Sequence, residues 1–174
     1  MRSLRRSFIG GLALAFTFLI GMAATPAAAM NVQRVTNGSS GLCLEIYQQS
    51  KNNGAVASQW PCSDQLHQTW YFDQQYPDNR WRLINKNSGK CLEVVGWGTN
   101  DGAAVGQWDC TGGANQVWYA IDYPGDGTGA MALVNVHSGK CLEIGGWSST
   151  WGARANQWSC HKGANQLWGG VPRW

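Results

Sequence analysis

Apolar residues in this chain fall into short runs, such as Trp81-Arg82-Leu83-Ile84, Cys91-Leu92-Glu93-Val94 and Met131-Ala132-Leu133-Val134, set between Asn, Ser and Gly turn residues. Runs of this length and punctuation predict short β-strands joined by tight turns, and amphipathic helical periodicity is absent beyond the N-terminal segment. That segment follows another pattern: an apolar run of 17 residues, Phe8 to Ala24, preceded by Arg2, Arg5 and Arg6 and followed by Ala27-Ala28-Ala29. The run is short for a membrane span. Basic, apolar and small-residue parts in that order predict a secretory signal peptide over residues 1–29, cleaved after Ala29. Arg5-Arg6-Ser7-Phe8-Ile9 also has twin-arginine character, so export before folding and export after folding both remain open. The mature chain is expected to run from Met30 to Trp174, outside the cell and without a membrane span.

Within that stretch the pattern recurs. Ser88 to Trp118 and Ser138 to Trp168 are identical at 18 of 31 positions at an offset of 50, and Ser40 to Trp70 is a more diverged copy at an offset of 48. Three repeats follow, approximately residues 32–78, 79–128 and 129–174. A unit of under about 50 residues with some four strands cannot bury a core alone, so three must share one. A threefold all-β barrel capped by hairpins is the economical arrangement.

The six cysteines obey the same period, as Cys43 and Cys62, Cys91 and Cys110, and Cys141 and Cys160, each pair 19 apart. Of the 15 pairings open to six cysteines, threefold repetition favours the one in which each repeat closes its own loop. Export to an oxidising environment makes the disulfide the expected state. Zinc fails on spacing, because no C-x-x-C occurs and His67, His137 and His161 do not recur at equivalent positions, so neither metal nor cofactor is expected. The net charge of +3 belongs to the export segment: without its three arginines, ten basic residues face ten acidic ones. A neutral chain without a Lys/Arg cluster lacks the footprint of nucleic-acid binding.

Cys-Leu-Glu at the head of each repeat and Gln68-x-Trp70, Gln116-x-Trp118 and Gln166-x-Trp168 at its tail resemble the ricin-type β-trefoil lectins, also classed as the family 13 carbohydrate-binding modules of secreted bacterial hydrolases. The resemblance covers roughly Val32 to Trp168. It implies a β-trefoil in which Trp70, Trp118 and Trp168 are core residues.

It also implies one candidate pocket per repeat. Sugar recognition needs an aromatic face for the apolar side of the ring and a few fixed polar groups for its hydroxyls. The chain's only three glutamates, Glu45, Glu93 and Glu143, stand where the family usually carries its sugar-binding aspartate; structural acids bonding turn amides are the alternative. Trp60, Trp108 and Trp158 match the family's stacking aromatic, with core packing as the alternative. Asn115-Gln116 and Asn165-Gln166 match its Asn-Gln pair, which becomes His67-Gln68 in the first repeat. That departure, with Gln65-Leu66 replacing the Gly-Ala turn, favours the second and third pockets. Trp97 and Trp147, where the first repeat has Gln49, either wall the pocket or cover the core. The family's Gln four residues before the second cysteine is absent. Gln59, Gln107 and Gln157 lie one residue later, so a bulge restores the contact or the amide faces elsewhere. Glu in place of Asp leaves the sugar open among galactose, rhamnose, arabinose and xylose types.

Three glutamates in three lobes cannot flank one glycosidic bond, and Asp101, Asp109 and Asp126 do not recur, so no enzyme is expected. The expected function is a secreted lectin with up to three shallow pockets. The alternative is a protein-binding trefoil such as a secreted protease inhibitor, whose distinctive loop would lie in the least symmetric stretch, Tyr119 to Gly129.

Overall fold

The computed structural model describes residues 31–76, 79–123 and 129–172. The expected signal peptide and residues 124–128 of the asymmetric stretch lie outside them. The first repeat supplies β1 (Asn31–Arg34), β2 (Thr36–Asn37), β3 (Cys43–Ile46), β4 (Ala57–Trp60) and β5 (Thr69–Tyr76). The second supplies β6 (Arg80–Asn85), β7 (Cys91–Val94), β8 (Val105–Trp108) and β9 (Trp118–Asp122), and the third β10 (Met131–Asn135), β11 (Cys141–Ile144), β12 (Ala155–Trp158) and β13 (Leu167–Gly169). Pairing is antiparallel throughout, and the order β1-β5-β6-β9-β10-β13-β2 closes on itself, with β1 and β2 as one edge interrupted at Val35. The result is a six-stranded barrel. Its three hairpins, β3–β4, β7–β8 and β11–β12, meet through single bridges, Val56 with Gly106, Ser58 with Arg154 and Ala104 with Asn156. This is the β-trefoil.

Strand alternation delivers the core: Trp81, Leu83 and Asn85 of β6 point inward while Arg80, Arg82 and Ile84 are partly exposed. Trp70, Trp118 and Trp168 are fully buried with Leu44, Leu92 and Leu142. Each indole nitrogen donates to the carbonyl of the Leu in its own repeat, at 3.1, 3.0 and 3.0 Å, so the polar handle of each core tryptophan is satisfied. Disulfides join Cys43 to Cys62, Cys91 to Cys110 and Cys141 to Cys160. A loop of this size contributes about 3 kcal/mol in the chain-entropy account.

Glutamine answers how the repeats hold one another. In an antiparallel pair, Ser58 lies opposite Glu45, so its neighbour Gln59 points to the other face. Gln59 donates to the carbonyls of Ser148 and Thr150 in the third repeat at 2.8 and 3.1 Å and accepts from Ser40 Oγ at 2.6 Å. Gln107 makes the same bonds to Ser50 and Asn52, and Gln157 to Gly98 and Asn100. These amides therefore face the neighbouring repeat and not a pocket. Each clamped loop ends at a glycine with φ near +80°, Gly54, Gly102 or Gly152, a conformation that strains any side chain-bearing residue. Gln157→Ala leaves two carbonyls and Ser138 short of a partner and is expected to cost about 1 to 3 kcal/mol. Urea unfolding checks this, and an unchanged midpoint would show that the loop holds without the amide.

Candidate functional site

Each hairpin carries one glutamate on its first strand, followed by a single 3-10 turn, and a second 3-10 turn (Leu66–Gln68, Ala114–Gln116 or Ala164–Gln166) brings the His-Gln or Asn-Gln pair against it. Buried asparagines brace those second turns. Asn85 donates to the carbonyl of His67, Asn135 to that of Asn115 and Asn37 to that of Asn165, each at 2.9 Å. Every pocket turn is thus held by the strand that leads into the hairpin of the repeat that comes next around the barrel, β6, β10 or β2. The signal was present in the sequence, since these asparagines recur at the repeat offsets.

All three glutamates are buried, and a buried carboxylate needs partners. Glu93 Oε2 accepts from Asn115 Nδ2 at 3.3 Å and Gln116 Nε2 at 3.0 Å. Glu143 Oε2 accepts from Asn165 Nδ2 at 3.2 Å and Gln166 Nε2 at 3.0 Å, with His161 Nε2 3.5 Å away. Among the described residues no donor reaches Oε1 of either. In the first repeat both oxygens are engaged: Glu45 Oε1 accepts from Ser58 Oγ at 3.0 Å, and Oε2 lies 3.4 Å from Gln68 Nε2 and 3.3 Å from His67 Nε2. The residue opposite the glutamate decides this, being Ser58 in the first repeat, Gly106 in the second and Asn156 in the third. In the third repeat two buried amide oxygens, Asn165 Oδ1 and Asn156 Oδ1, find no partner among the described residues.

Gln68, Gln116 and Gln166 are fully buried and position the acid. Gln116 accepts from the Thr111 amide at 2.8 Å and donates to the Asp109 carbonyl at 2.9 Å, tying the segment around Cys110 to Glu93. Gln166 does the same at His161 and Ser159, and Gln68 at Ser63 and Pro61.

Aromatic walls stand over these floors. Trp60, Trp108 and Trp158 are 40 to 42% exposed, each at the mouth of its own repeat's cavity and not in the core. Trp97 and Trp147 also wall their cavities. Both adopt left-handed backbone, with φ of 58° and 56°, which is rare for a bulky residue and marks a position held by its surroundings. Their rings lie on Gly113 and Gly163, where a Cβ would come within 2.8 and 2.5 Å of ring carbons. Tryptophan and glycine therefore go together in the second and third repeats. The first repeat has neither, with Gln49 and Gln65 instead, and its cavity opens to ≈ 680 Å³ against ≈ 400 and ≈ 360 Å³. His161 stacks on Trp147 at 5.8 Å, whereas His137 meets the edge of Trp97 at 5.0 Å. Between the hairpins, the Lys140 ammonium beside Asp101 and the Lys90 ammonium beside Asp109 hold those exposed carboxyls below the ordinary range.

A six-stranded barrel with three capping hairpins, each carrying a buried carboxylate and an exposed tryptophan, is the three-lobed architecture of a β-trefoil. The model of the ricin-type beta-trefoil lectin domain-like family matches residues 16–108, 67–158 and 114–173, and the chain belongs to that family. Among solved structures it is similar to a designed threefold-symmetric protein, ThreeFoil, at 34% identity over 82% of this chain and 99% of that one, with a TM-score of 0.77. It is similar at 30% identity, over 85% of its length, to an exo-beta-1,3-galactanase from Clostridium thermocellum, of which it spans 31%, with a TM-score of 0.76. The hemolytic lectin CEL-III matches at 25% identity over 79% of this chain and 29% of that one, with a TM-score of 0.64. No curated protein matches the chain.

Proposed function

We propose that the chain is exported with removal of residues 1–29 and acts outside the cell as a carbohydrate-binding protein, gripping neutral sugars at one cavity per repeat. The observation that carries this reading is the pair of carboxylate oxygens, Glu93 Oε1 and Glu143 Oε1, left without a donor among the described residues on the floor of cavities walled by two tryptophans each. A carboxylate oxygen in such a place accepts hydroxyl hydrogens strongly, and the indole faces cover the apolar side of a pyranose. Asn115 and Asn165 add polar edges beside each acid, while Gln116 and Gln166 hold it from behind. The lectin neighbours and family support the same reading. Among the described residues each cavity is lined by a single carboxylate, whereas glycoside hydrolysis needs two about 5 to 9 Å apart, so binding without catalysis is the activity proposed. Several weak cavities raise avidity for a displayed glycan by about 100 to 10,000-fold when their spacing lets them engage together.

A glycan array probed with the oxidised protein lacking residues 1–29 tests this, using galactosides, rhamnosides, arabinosides and xylan fragments. Binding to one of these classes is expected. Silence from folded protein would overturn the reading and direct attention to protein partners.

A further inference from the structure

The three hairpin turns are alike in backbone and differ at their tips. Asn53 of the first repeat leans on the second, donating to Asp109 Oδ2 at 2.7 Å and accepting from the Asp109 amide at 3.0 Å. Asp101 of the second leans on the third, accepting from the Ser159 amide at 2.8 Å and its hydroxyl at 3.0 Å. At the third junction the tip is Trp151, and the residue opposite is Pro61, which has neither an amide hydrogen nor a polar side chain. The polar tie is chemically unavailable there. Trp151 instead sets its ring 5.7 Å from that of Trp60 at an angle of 52° and remains 62% exposed.

Trp60 lines the first cavity, and Trp151 stands beside it across the repeat boundary. A Cβ on Gly152 would sit 3.5 Å from the Trp60 ring and 3.9 Å from that of Tyr47, so the third repeat's turn abuts two walls of the first repeat's cavity. The guanidinium of Arg154 stacks over Tyr47 at 5.4 Å, placing hydrogen-bond donors on the same rim. The cavity itself is the widest of the three, and its carboxylate is already engaged by Ser58 and His67.

Resting on the carbohydrate-binding reading above, we propose that the first cavity continues across the repeat boundary onto Trp151, forming a composite subsite for a second ring of a neutral, single-chain oligosaccharide. Polar capture of one sugar is weakest here, because the acid has internal donors, while the exposed Trp151 ring continues the aromatic wall of Trp60 across the repeat boundary. A ligand gains most by being longer. The 52° between the two rings suits a soluble chain whose successive residues turn relative to one another, and it does not suit the flat face of a packed polymer. The second and third cavities, with Asn53 and Asp101 at the corresponding tips, lack the extension and remain single-ring sites.

The test uses the oxidised chain carrying Glu93→Gln and Glu143→Gln, so that the first cavity is read alone, with and without Trp151→Ala. Probes are xylose with xylotetraose and galactose with a β-1,3-linked galactotetraose, followed by calorimetry and by tryptophan indole resonances. One tetrasaccharide is expected to bind more tightly than its monosaccharide and to shift both the Trp60 and Trp151 indoles. Trp151→Ala should lower tetrasaccharide affinity about tenfold, with monosaccharide affinity unchanged, and Trp151→Phe should retain most of the gain. Equal tetrasaccharide affinity with and without Trp151 would overturn the inference and leave the broader function standing. So would loss of all binding in the double variant when the parent chain still binds. A parent chain that binds no saccharide would overturn both.

Discussion

Trp168→Ala is expected to lower the unfolding free energy by about 3 to 5 kcal/mol, the range for deleting a large buried aromatic side chain. Trp168 has no exposed surface and spends its only polar atom on the Leu142 carbonyl at 3.0 Å, so truncation empties a site in the shared core and removes a buried hydrogen bond. In a domain of this size that corresponds to a fall in Tm on the order of 10 °C. Trp158, ten residues earlier and 42% exposed, should tolerate the same change with little loss of stability. The contrast matters more than either value. Urea unfolding of both variants with disulfides intact checks it, and a Trp168→Ala midpoint close to the parent would show that core and site tryptophans have been exchanged in this account.

Combining Glu93→Gln with Glu143→Gln is expected to weaken sugar binding at the second and third cavities about 10 to 100-fold, the value of a charge-assisted hydrogen bond. Shape hardly changes, but polarity does. Asn115 and Gln116 both donate to Glu93 Oε2, so the new amide must turn its oxygen toward them, and its NH2 group then occupies the Oε1 position. An acceptor for sugar hydroxyls becomes a donor. Glu45→Gln should matter less, because Ser58 Oγ already occupies Glu45 Oε1 and a hydroxyl can accept as well as donate. Binding unchanged in the single, double and triple variants would exclude the glutamates as anchors.

How much of this was legible in the sequence depended on whether a feature repeated. The barrel, the three disulfides and the buried Gln-x-Trp tryptophans recur in every copy, and a threefold pattern leaves few ways to bury them. Gln59, Gln107 and Gln157 were ambiguous because a strand's faces alternate residue by residue. A one-residue offset from the family pattern sends a side chain to the opposite face unless a bulge intervenes. No bulge does, and the amides clamp the next repeat. Trp97 and Trp147 were equally open as wall or cover. What decides them is contact with Gly113 and Gly163, a pairing visible only when the turns are brought together. Ser58 closing Glu45 depends on cross-strand register, and Trp151 meeting Trp60 depends on the closure of the third repeat onto the first. A residue with no counterpart in the other copies gives a repeat-based reading nothing to find.

The most direct test of the central claim is an NMR titration of tryptophan-labelled, oxidised protein with the strongest glycan from the array. The indole resonances of Trp108 and Trp158 are predicted to move and saturate together with the side-chain amides of Asn115 and Asn165, while those of Trp70, Trp118 and Trp168 stay in place. Saturable binding that leaves Trp108 and Trp158 unmoved and instead shifts resonances along Tyr119 to Tyr123 would contradict it.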